Sequence, residues 1–483
     1  MASIKGNIIL NGINTLTGVI FPIITFPYAA RVLLPDGIGA VNFLNAIVSY
    51  IVLLTSLGIP MYAVKEVAKY RDDRPTRDRI TVEILLLSTF LCLLGYIAVL
   101  LLAEFVPQIH SQASLFFILS LTILFTSIGV NWFYQGIEDF KFITIRAVVI
   151  RALAAAALFL FVEDSSDLLI YGVIVVGSTV GNNFINFVHL RKQINLQYIR
   201  FKELKIFRHL KPALQVFMLN LIISLYVQLN SIMLGFMSGD EAVGYFTAGT
   251  KISHTGLLLI SSLGTVLLPR CSHLLQIGDM AGFKSVINKS LQVSLALSIP
   301  MTVGLMILAT PITIVFCGGE FAEAVPVLLL NAPVVIFISL TNLIGIQVLY
   351  PMNKINLVIW SVLGGAIVNM VFNLILIPSY SATGAAVATL IAEFSVLLIQ
   401  ILLGRKYLPF KLASLFNVRY VLGSVIMCAA VYLSIFMLHT YGTQLLVGIS
   451  TGMVVYATYL ILSRDPLATE LKAIIHRKLS HVK

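Results

Sequence analysis

Apolar residues in this chain form long runs of about 20 residues, separated by short polar or charged segments. A run of that length is what an α-helix needs to cross the hydrocarbon core of a bilayer. The pattern therefore predicts about fourteen membrane-spanning helices. They cover residues 8–30, 39–61, 80–103, 113–135, 143–162, 168–190, 212–235, 242–268, 285–316, 324–350, 355–377, 383–403, 419–438 and 444–462.

Composition supports the same interpretation. Of the 483 residues, 59% are hydrophobic and only 11% are charged, and the mean hydropathy is +0.98. A soluble chain would carry about 25% charged residues. We therefore predict an all-α, polytopic membrane protein whose first helix is retained, because no convincing cleavage site follows it.

The basic residues indicate an orientation. If the amino terminus is cytoplasmic, thirty of the 32 Lys and Arg residues fall on the cytoplasmic side, and only Arg31 and Lys251 fall elsewhere. An excess of Lys and Arg is typical of the cytoplasmic loops of membrane proteins. Both termini are then predicted to be cytoplasmic. The net charge of +11 reflects this arrangement rather than a nucleic-acid partner.

Weak internal similarity predicts two related halves. The pair Ile38-Gly39 recurs as Val243-Gly244, and the Gly and Tyr of GVNWFY at 129–134 recur in GIQVLY at 345–350. Six spans return the chain to its starting side, so the halves would be parallel repeats around a central cavity. The predicted domains are an amino-terminal six-helix half, a cytoplasmic linker, a second six-helix half, two extra helices and a cytoplasmic tail. Their bounds are 1–190, 191–211, 212–403, 404–462 and 463–483. The carboxyl-terminal tail suits a basic helix that lies on anionic membrane lipid, and segment 200–211 is similarly basic and amphipathic.

Polar side chains recur at helical spacing inside several spans. They could bond neighbouring helices, or they could line a polar cavity suited to sugar hydroxyls. The candidate sugar contacts are Asn11, Asn14, Asn42, Asn45, Asn186, Asn220, Gln228, Asn369 and Asn373, and Asn182 and His189 share the face of Asn186.

Arg31 and Lys251 are the candidate contacts for an anionic substrate. A lysine within a span normally faces a protein-lined or watery interior, and an arginine can hold phosphate through two hydrogen bonds. Structural alternatives are that Arg31 pairs with Asp36 and that Lys251 snorkels or neutralises Glu393. Glu393 and His254, which lies one turn from Lys251, are candidates for proton coupling.

Several classes of function lack their sequence signals. The chain contains no phosphate-binding G-x-x-x-x-G-K-[ST] loop, no HExxH motif and no large external loop. Cys92, Cys271, Cys317 and Cys428 form no CxxC pair. We therefore expect no ATP hydrolysis, no catalytic residues, and no metal or cofactor. A glycan-assembly enzyme is less favoured than a transporter.

Five segments resemble a known family. They are PYAARVLLPDGIGAVNF at 27–43, NWFYQGIEDFKFITIR at 131–146, VGYFTAGTKI at 243–252, FCGGEFAEAVPVLL at 316–329 and TGAAVATLIAEF at 383–394. They are similar to recurrent segments of Wzx-type oligosaccharide flippases, in the polysaccharide exporter family of the multidrug/oligosaccharidyl-lipid/polysaccharide superfamily.

The resemblance implies movement of an undecaprenyl-pyrophosphate-linked oligosaccharide to the outer face of the bacterial inner membrane, for O-antigen, capsule or related polymers. It implies alternating access, with Arg31 and Lys251 meeting the pyrophosphate, and polysaccharide assembly proteins such as a polymerase as candidate partners. The alternatives are a cation-coupled exporter of small amphiphilic molecules and a peptidoglycan-precursor flippase.

Overall fold

The protein is described by a computed structural model that covers residues 4–195, 197 and 199–469, and these residues contain helices and no β-strand. Within that part of the chain, ten helical segments are long and apolar enough to span a bilayer. Two of them, Gly12–Lys69 and Ile355–Tyr407, have 58 and 53 residues, which is enough for two crossings each. All fourteen predicted spans coincide with helices. The predicted all-α membrane fold is confirmed.

The chain divides into two compact units, Met1–Gly244 and Tyr245–Lys483. Among its described residues, the first unit contains nine α-helices and the start of a tenth. They are α1 (Ile4–Ser56), α2 (Ile59–Lys69), α3 (Arg74–Phe105), α4 (Pro107–His110), α5 (Ala113–Ile128), α6 (Asn131–Gly136), α7 (Phe140–Phe161), α8 (Leu168–Leu190), α9 (Leu210–Ser238) and α10 (Asp240–Gln276). The predicted domain bounds stay a prediction.

The second unit begins within α10 and contains the remaining helices. They are α11 (Met280–Ile307), α12 (Ala309–Cys317), α13 (Ala324–Asn331), α14 (Val334–Asn342), a π-helix (Leu343–Leu349), α15 (Ile355–Gly404), α16 (Val418–Phe436) and α17 (Tyr441–Leu462). Its buried core is a cluster of apolar residues from α10, α11, the π-helix and α16, including Phe283, Leu291, Leu343 and Tyr420.

Backbone breaks divide the two longest helices. In α1, Leu34 has φ 61° and ψ 177°, and Pro35 follows it. Proline removes a backbone N–H and forces the preceding residue out of the helical region. In α15, Ser381 has φ 48° and ψ −130°, between the two spans predicted there. Each long helix is therefore two spans joined by a sharp turn.

Two backbone features recur between the predicted halves. Leu34 has almost the same backbone conformation as Gly239, which has φ 85° and ψ 179° between α9 and α10. Glu138 (φ 61°) and Asn353 (φ 57°) each end a helical turn in the left-handed region. These matches support the repeat that the sequence suggested.

The segment between α8 and α9 departs from the sequence-based expectation. Instead of an amphipathic surface helix over 200–211, it contains two short 3-10 turns, Phe201–Glu203 and Ile206–His209. The reason is that buried carboxylates of α3 bind its backbone. Asp78 accepts a hydrogen bond from the Asn195 amide and Glu83 accepts one from the Lys205 amide, both at 2.9 Å. The predicted tail helix lies mostly outside the described residues.

Candidate functional site

Two arginines lie inside the membrane-spanning helix α7. The helix begins at Phe140, because the Asp139 carboxylate caps it by accepting a hydrogen bond from the Phe142 amide at 3.1 Å. At 1.5 Å per residue, Arg146 is roughly 9 Å and Arg151 roughly 16 Å along the helix. A charged side chain at such a depth needs polar partners.

Arg146 is held by neutral partners on two neighbouring elements. Its side chain is almost completely buried, at 8% exposure. Nε donates to Asn182 Oδ1 at 3.0 Å, and Nη2 donates to Asn131 Oδ1 at 3.3 Å. The guanidinium carbon lies 5.3 Å from the centre of the Phe142 ring. The third nitrogen, Nη1, is buried and has no hydrogen-bond partner within the described part of the chain.

An aromatic and imidazole layer lies beside this guanidinium. The hydroxyl of Tyr134 donates to the Asn186 carbonyl oxygen at 3.0 Å and lies 3.1 Å from His189 Nδ1. The His189 ring stacks on Phe142, with centroids 4.4 Å apart. This layer fixes Phe142 and therefore one face of Arg146. The side-chain amide of Asn186 is fully buried, and among the described residues neither its nitrogen nor its oxygen has a hydrogen-bond partner.

Arg151 joins α7 to α1. Its Nη1 donates to the Asn14 carbonyl oxygen at 2.9 Å, to Asn14 Oδ1 at 3.0 Å and to Thr17 Oγ1 at 2.8 Å. These acceptors are again neutral. Helix α7 therefore contributes one buried and one half-buried positive charge, and the described partners of both are amide or hydroxyl oxygens.

A groove of about 490 Å³ runs along α7 beside α8. Its walls are mostly apolar, and its charged residues lie towards the amino-terminal end of α7. We call it the α7–α8 groove, and its lining residues are Asp139, Lys141, Phe142, Ile145, Arg146, Val149, Ile150 and Ile185.

The predicted cations and proton-coupling residues have contrasting environments. Arg31 is exposed and lies one turn before the break in α1. Lys251 and His254 are exposed on α10. Glu393 is buried in α15, with 8% exposure. Their proposed roles stay predictions.

The predicted amides fall into three groups. Asn14 and Asn186 lie in the arginine environment described above. Asn369 and Asn373 are fully buried in α15, where Asn373 Nδ2 donates to Asn369 Oδ1 at 3.0 Å. Asn42, Asn45 and Gln228 are half-buried, and Asn42 Nδ2 donates to the Ile38 carbonyl of its own helix at 2.7 Å. The side chains of Asn11 and Asn220 lie outside the described residues.

Sequence reasoning missed Arg146 and Arg151 as intramembrane charges, because it counted both with the cytoplasmic basic residues. That assignment was wrong, since both lie within α7 and one is buried. The signal was present in the predicted span 143–162, which contains both arginines. Their asparagine partners come from α1, α6 and α8, and those pairings could not be read from local spacing.

A second charged cluster lies at the start of α3. Glu83 Oε2 lies 2.9 Å from His209 Nε2 and 2.5 Å from Arg208 Nη2, and the Tyr62 hydroxyl lies 2.8 Å from His209 Nδ1. Nearby, the buried Arg77 donates to Asp78 and to the Gln193 carbonyl oxygen. These bonds hold the segment before α9 against α2 and α3.

Comparison with known proteins decides the family. The profile of the polysaccharide biosynthesis protein family matches residues 4–275, more than half of the chain. The chain belongs to this family. The resemblance to polysaccharide exporters inferred from the five sequence segments is thereby confirmed.

Two curated bacterial relatives of this polysaccharide biosynthesis protein are named as O-antigen transporters. The protein named "Putative O-antigen transporter" from Escherichia coli (strain K12) is 25% identical over 351 residues, covering 73% of this chain and 84% of the relative. The protein of the same name from Shigella dysenteriae is 23% identical and covers 82% of this chain and 99% of the relative.

Solved structures share the fold. The lipid II flippase MurJ in an inward closed conformation has a TM-score of 0.76 at 16% identity, covering 95% of this chain and 100% of the flippase. A multidrug resistance MATE family transporter in an inward-facing conformation has a TM-score of 0.63 at 14% identity, covering 81% and 94%. At identities of 16% and 14%, these similarities show the fold of this polysaccharide biosynthesis protein and nothing more.

Proposed function

We propose that this chain is a flippase that moves an undecaprenyl-pyrophosphate-linked oligosaccharide repeat unit across the bacterial cytoplasmic membrane, for O-antigen, capsule or another polysaccharide. The observation that carries the proposal is the buried arginine environment of α7. Arg146 and Arg151 contribute positive charge within a membrane-spanning helix, and their described partners are neutral oxygens. Such a site suits a substrate that carries both phosphate and sugar.

The other predicted site residues are given roles in transport on the same chemical grounds. Arg31 and Lys251 meet the pyrophosphate, since both are exposed cations on helices. The amides named above contact sugar hydroxyls, because an amide and a hydroxyl can each both donate and accept hydrogen bonds. His254 and Glu393 take up and release a proton during the cycle.

Alternating access without ATP hydrolysis is the proposed mechanism. Each state opens the substrate site to one side of the membrane, and the lipid tail stays in the bilayer. The family membership and the names of the bacterial relatives support a glycan lipid as substrate. The charge distribution supports cytoplasmic termini.

Transport of a fluorescent undecaprenyl-pyrophosphate oligosaccharide in proteoliposomes tests the proposal. Native protein is compared with Lys251→Ala, Arg31→Ala and Arg191→Ala, the last being a control at an exposed loop cation. We expect the native and control proteins to flip the lipid, and the first two variants to be slower by about tenfold or more.

Two adverse outcomes are distinguishable. If native protein moves no more lipid than empty liposomes, the flippase proposal is wrong, and export of a small amphiphilic molecule becomes the function to test. If flipping occurs and neither Lys251→Ala nor Arg31→Ala slows it, only the roles given to those two residues are wrong.

A further inference from the structure

The α7–α8 groove combines one unsatisfied buried cation with an apolar wall. Arg146 lines the groove, is more than nine-tenths buried, and has two of its three nitrogens bonded to Asn182 and Asn131. Its remaining nitrogen, Nη1, is buried and has no hydrogen-bond partner among the residues that the structure describes. An unsatisfied charged donor of this kind is costly to bury, so it marks a place where an anionic oxygen would be stabilised.

The wall continues from Arg146 towards the middle of α7. Ile145 and Val149 are one helical turn apart and remain 52% and 50% exposed, and Ile150 and Ile185 complete the wall. The charged lining residues, Asp139, Lys141 and Arg146, thus lie at one end, near the predicted cytoplasmic edge of the helix. This division suits a ligand with an anionic head and a hydrocarbon chain.

We propose that the α7–α8 groove binds the polyprenyl pyrophosphate end of the lipid-linked substrate, with Arg146 Nη1 donating to a phosphate oxygen and Ile145 and Val149 contacting the isoprenoid chain. The assignment rests on the proposed function, and it adds a binding position on the first unit alone. Family membership does not specify this position.

Charge and size favour this occupant over a phospholipid. Lys141 and Arg146 both line the groove and give it two positive charges, which match two phosphates better than one. The volume of about 490 Å³ is within the range of sites for one drug-sized ligand. It therefore suits a headgroup and one chain segment better than two full acyl chains. Asp139 is the acidic residue on this lining, and its carboxylate is engaged by the Phe142 amide.

Binding, measured separately from transport, tests the assignment. Native mass spectrometry of the full chain in detergent would follow titrations with undecaprenyl pyrophosphate, phosphatidylglycerol and inorganic pyrophosphate. The variants are Arg146→Gln, which keeps a polar side chain, and Val149→Trp, which fills the apolar wall. Leu160→Trp is the matched control, because Leu160 is 66% exposed on the same helix and outside the groove.

We expect Arg146→Gln to weaken binding of undecaprenyl pyrophosphate by about tenfold or more, since a charge-assisted hydrogen bond is lost. Val149→Trp should weaken the lipid without weakening inorganic pyrophosphate, and Leu160→Trp should bind as the native protein does. Val149→Trp decides the question by itself if Arg146→Gln does not fold.

The assignment is overturned if neither groove variant changes binding of the polyprenyl lipid. It is also overturned if phosphatidylglycerol competes with equal affinity, because the groove would then be a site for bulk phospholipid. If the protein binds the polyprenyl lipid as expected but does not flip it, the groove assignment stands and the proposed transport function is wrong. If the protein flips the lipid and neither groove variant changes binding, the transport function stands and the groove assignment is wrong.

Discussion

Gly39 packs against the backbone of Asp240 and Gly244, and Gly244 in turn packs against the backbone of Pro35. A Cβ placed on Gly39 would overlap the carbonyl oxygen of Asp240 and lie 2.9 Å from the Gly244 amide nitrogen, while one on Gly244 would overlap the carbonyl oxygen of Pro35. The same offset of 205 residues relates Gly39 to Gly244 and Pro35 to Asp240. The contact is therefore locally two-fold, as at an interface between two copies of one element. Only glycine permits so close an approach of backbones.

Gly39→Ala is therefore expected to destabilise the protein by about 1–3 kcal/mol or more. The new methyl group would overlap backbone atoms, which cannot move away as the end of a flexible side chain could. Thermal unfolding in detergent, followed by circular dichroism, measures the effect. Gly12→Ala in the same helix is the control, since nothing lies within 4 Å of its Cβ position. Equal unfolding temperatures for the two variants would contradict the close contact.

Leu34→Gly is expected to stabilise the protein or leave it unchanged, although glycine usually weakens a helix. Leu34 has φ 61° and ψ 177°, a region that non-glycine residues enter at a cost of about 1–3 kcal/mol. The equivalent position of the second repeat is already Gly239. Leu16→Gly, at an exposed helical leucine of the same helix, should lower the unfolding temperature. A similar loss in both variants would show that Leu34 is not strained.

The spans were predictable because length and apolarity alone determine which segments can cross a bilayer. The arginine site was not, since Arg146 meets Asn131 and Asn182 from two other elements, 15 and 36 residues away. Segment 200–211 was misjudged for a related reason. Its basic pattern is typical of a surface helix, but buried Glu83 binds the Lys205 amide and holds the backbone in another conformation.

Glu83→Ala is expected to lower the free energy of unfolding by about 3–5 kcal/mol, because it leaves His209, Arg208 and the Lys205 amide without their shared acceptor. Glu83→Gln should be less damaging, since its carbonyl oxygen still accepts. The exposed pair of Arg200 and Glu203, 3.2 Å apart, offers the control, and Glu203→Ala should have little effect. Unfolding temperatures that fall equally for Glu83→Ala and Glu203→Ala would contradict a buried anchor.

Stability of the same cluster should depend on pH through His209. Burial lowers the pKa of the His209 imidazole from its ordinary 6.5, although the hydrogen bond to Glu83 acts in the opposite direction. The other groups facing it are Arg208, Tyr62 and Glu66.

Because the folded-state pKa is below the unfolded one, this contribution to stability is complete above about pH 6.5 and is lost as the pH falls through the folded value. His209→Gln keeps a polar side chain that can donate to Glu83, and it does not titrate. We therefore expect the unfolding temperature of the native protein to fall more than that of His209→Gln between about pH 7.5 and pH 5. If the two proteins lose the same amount over that range, proton uptake by His209 does not oppose folding. The pKa of the imidazole would then be the same in the folded and the unfolded protein.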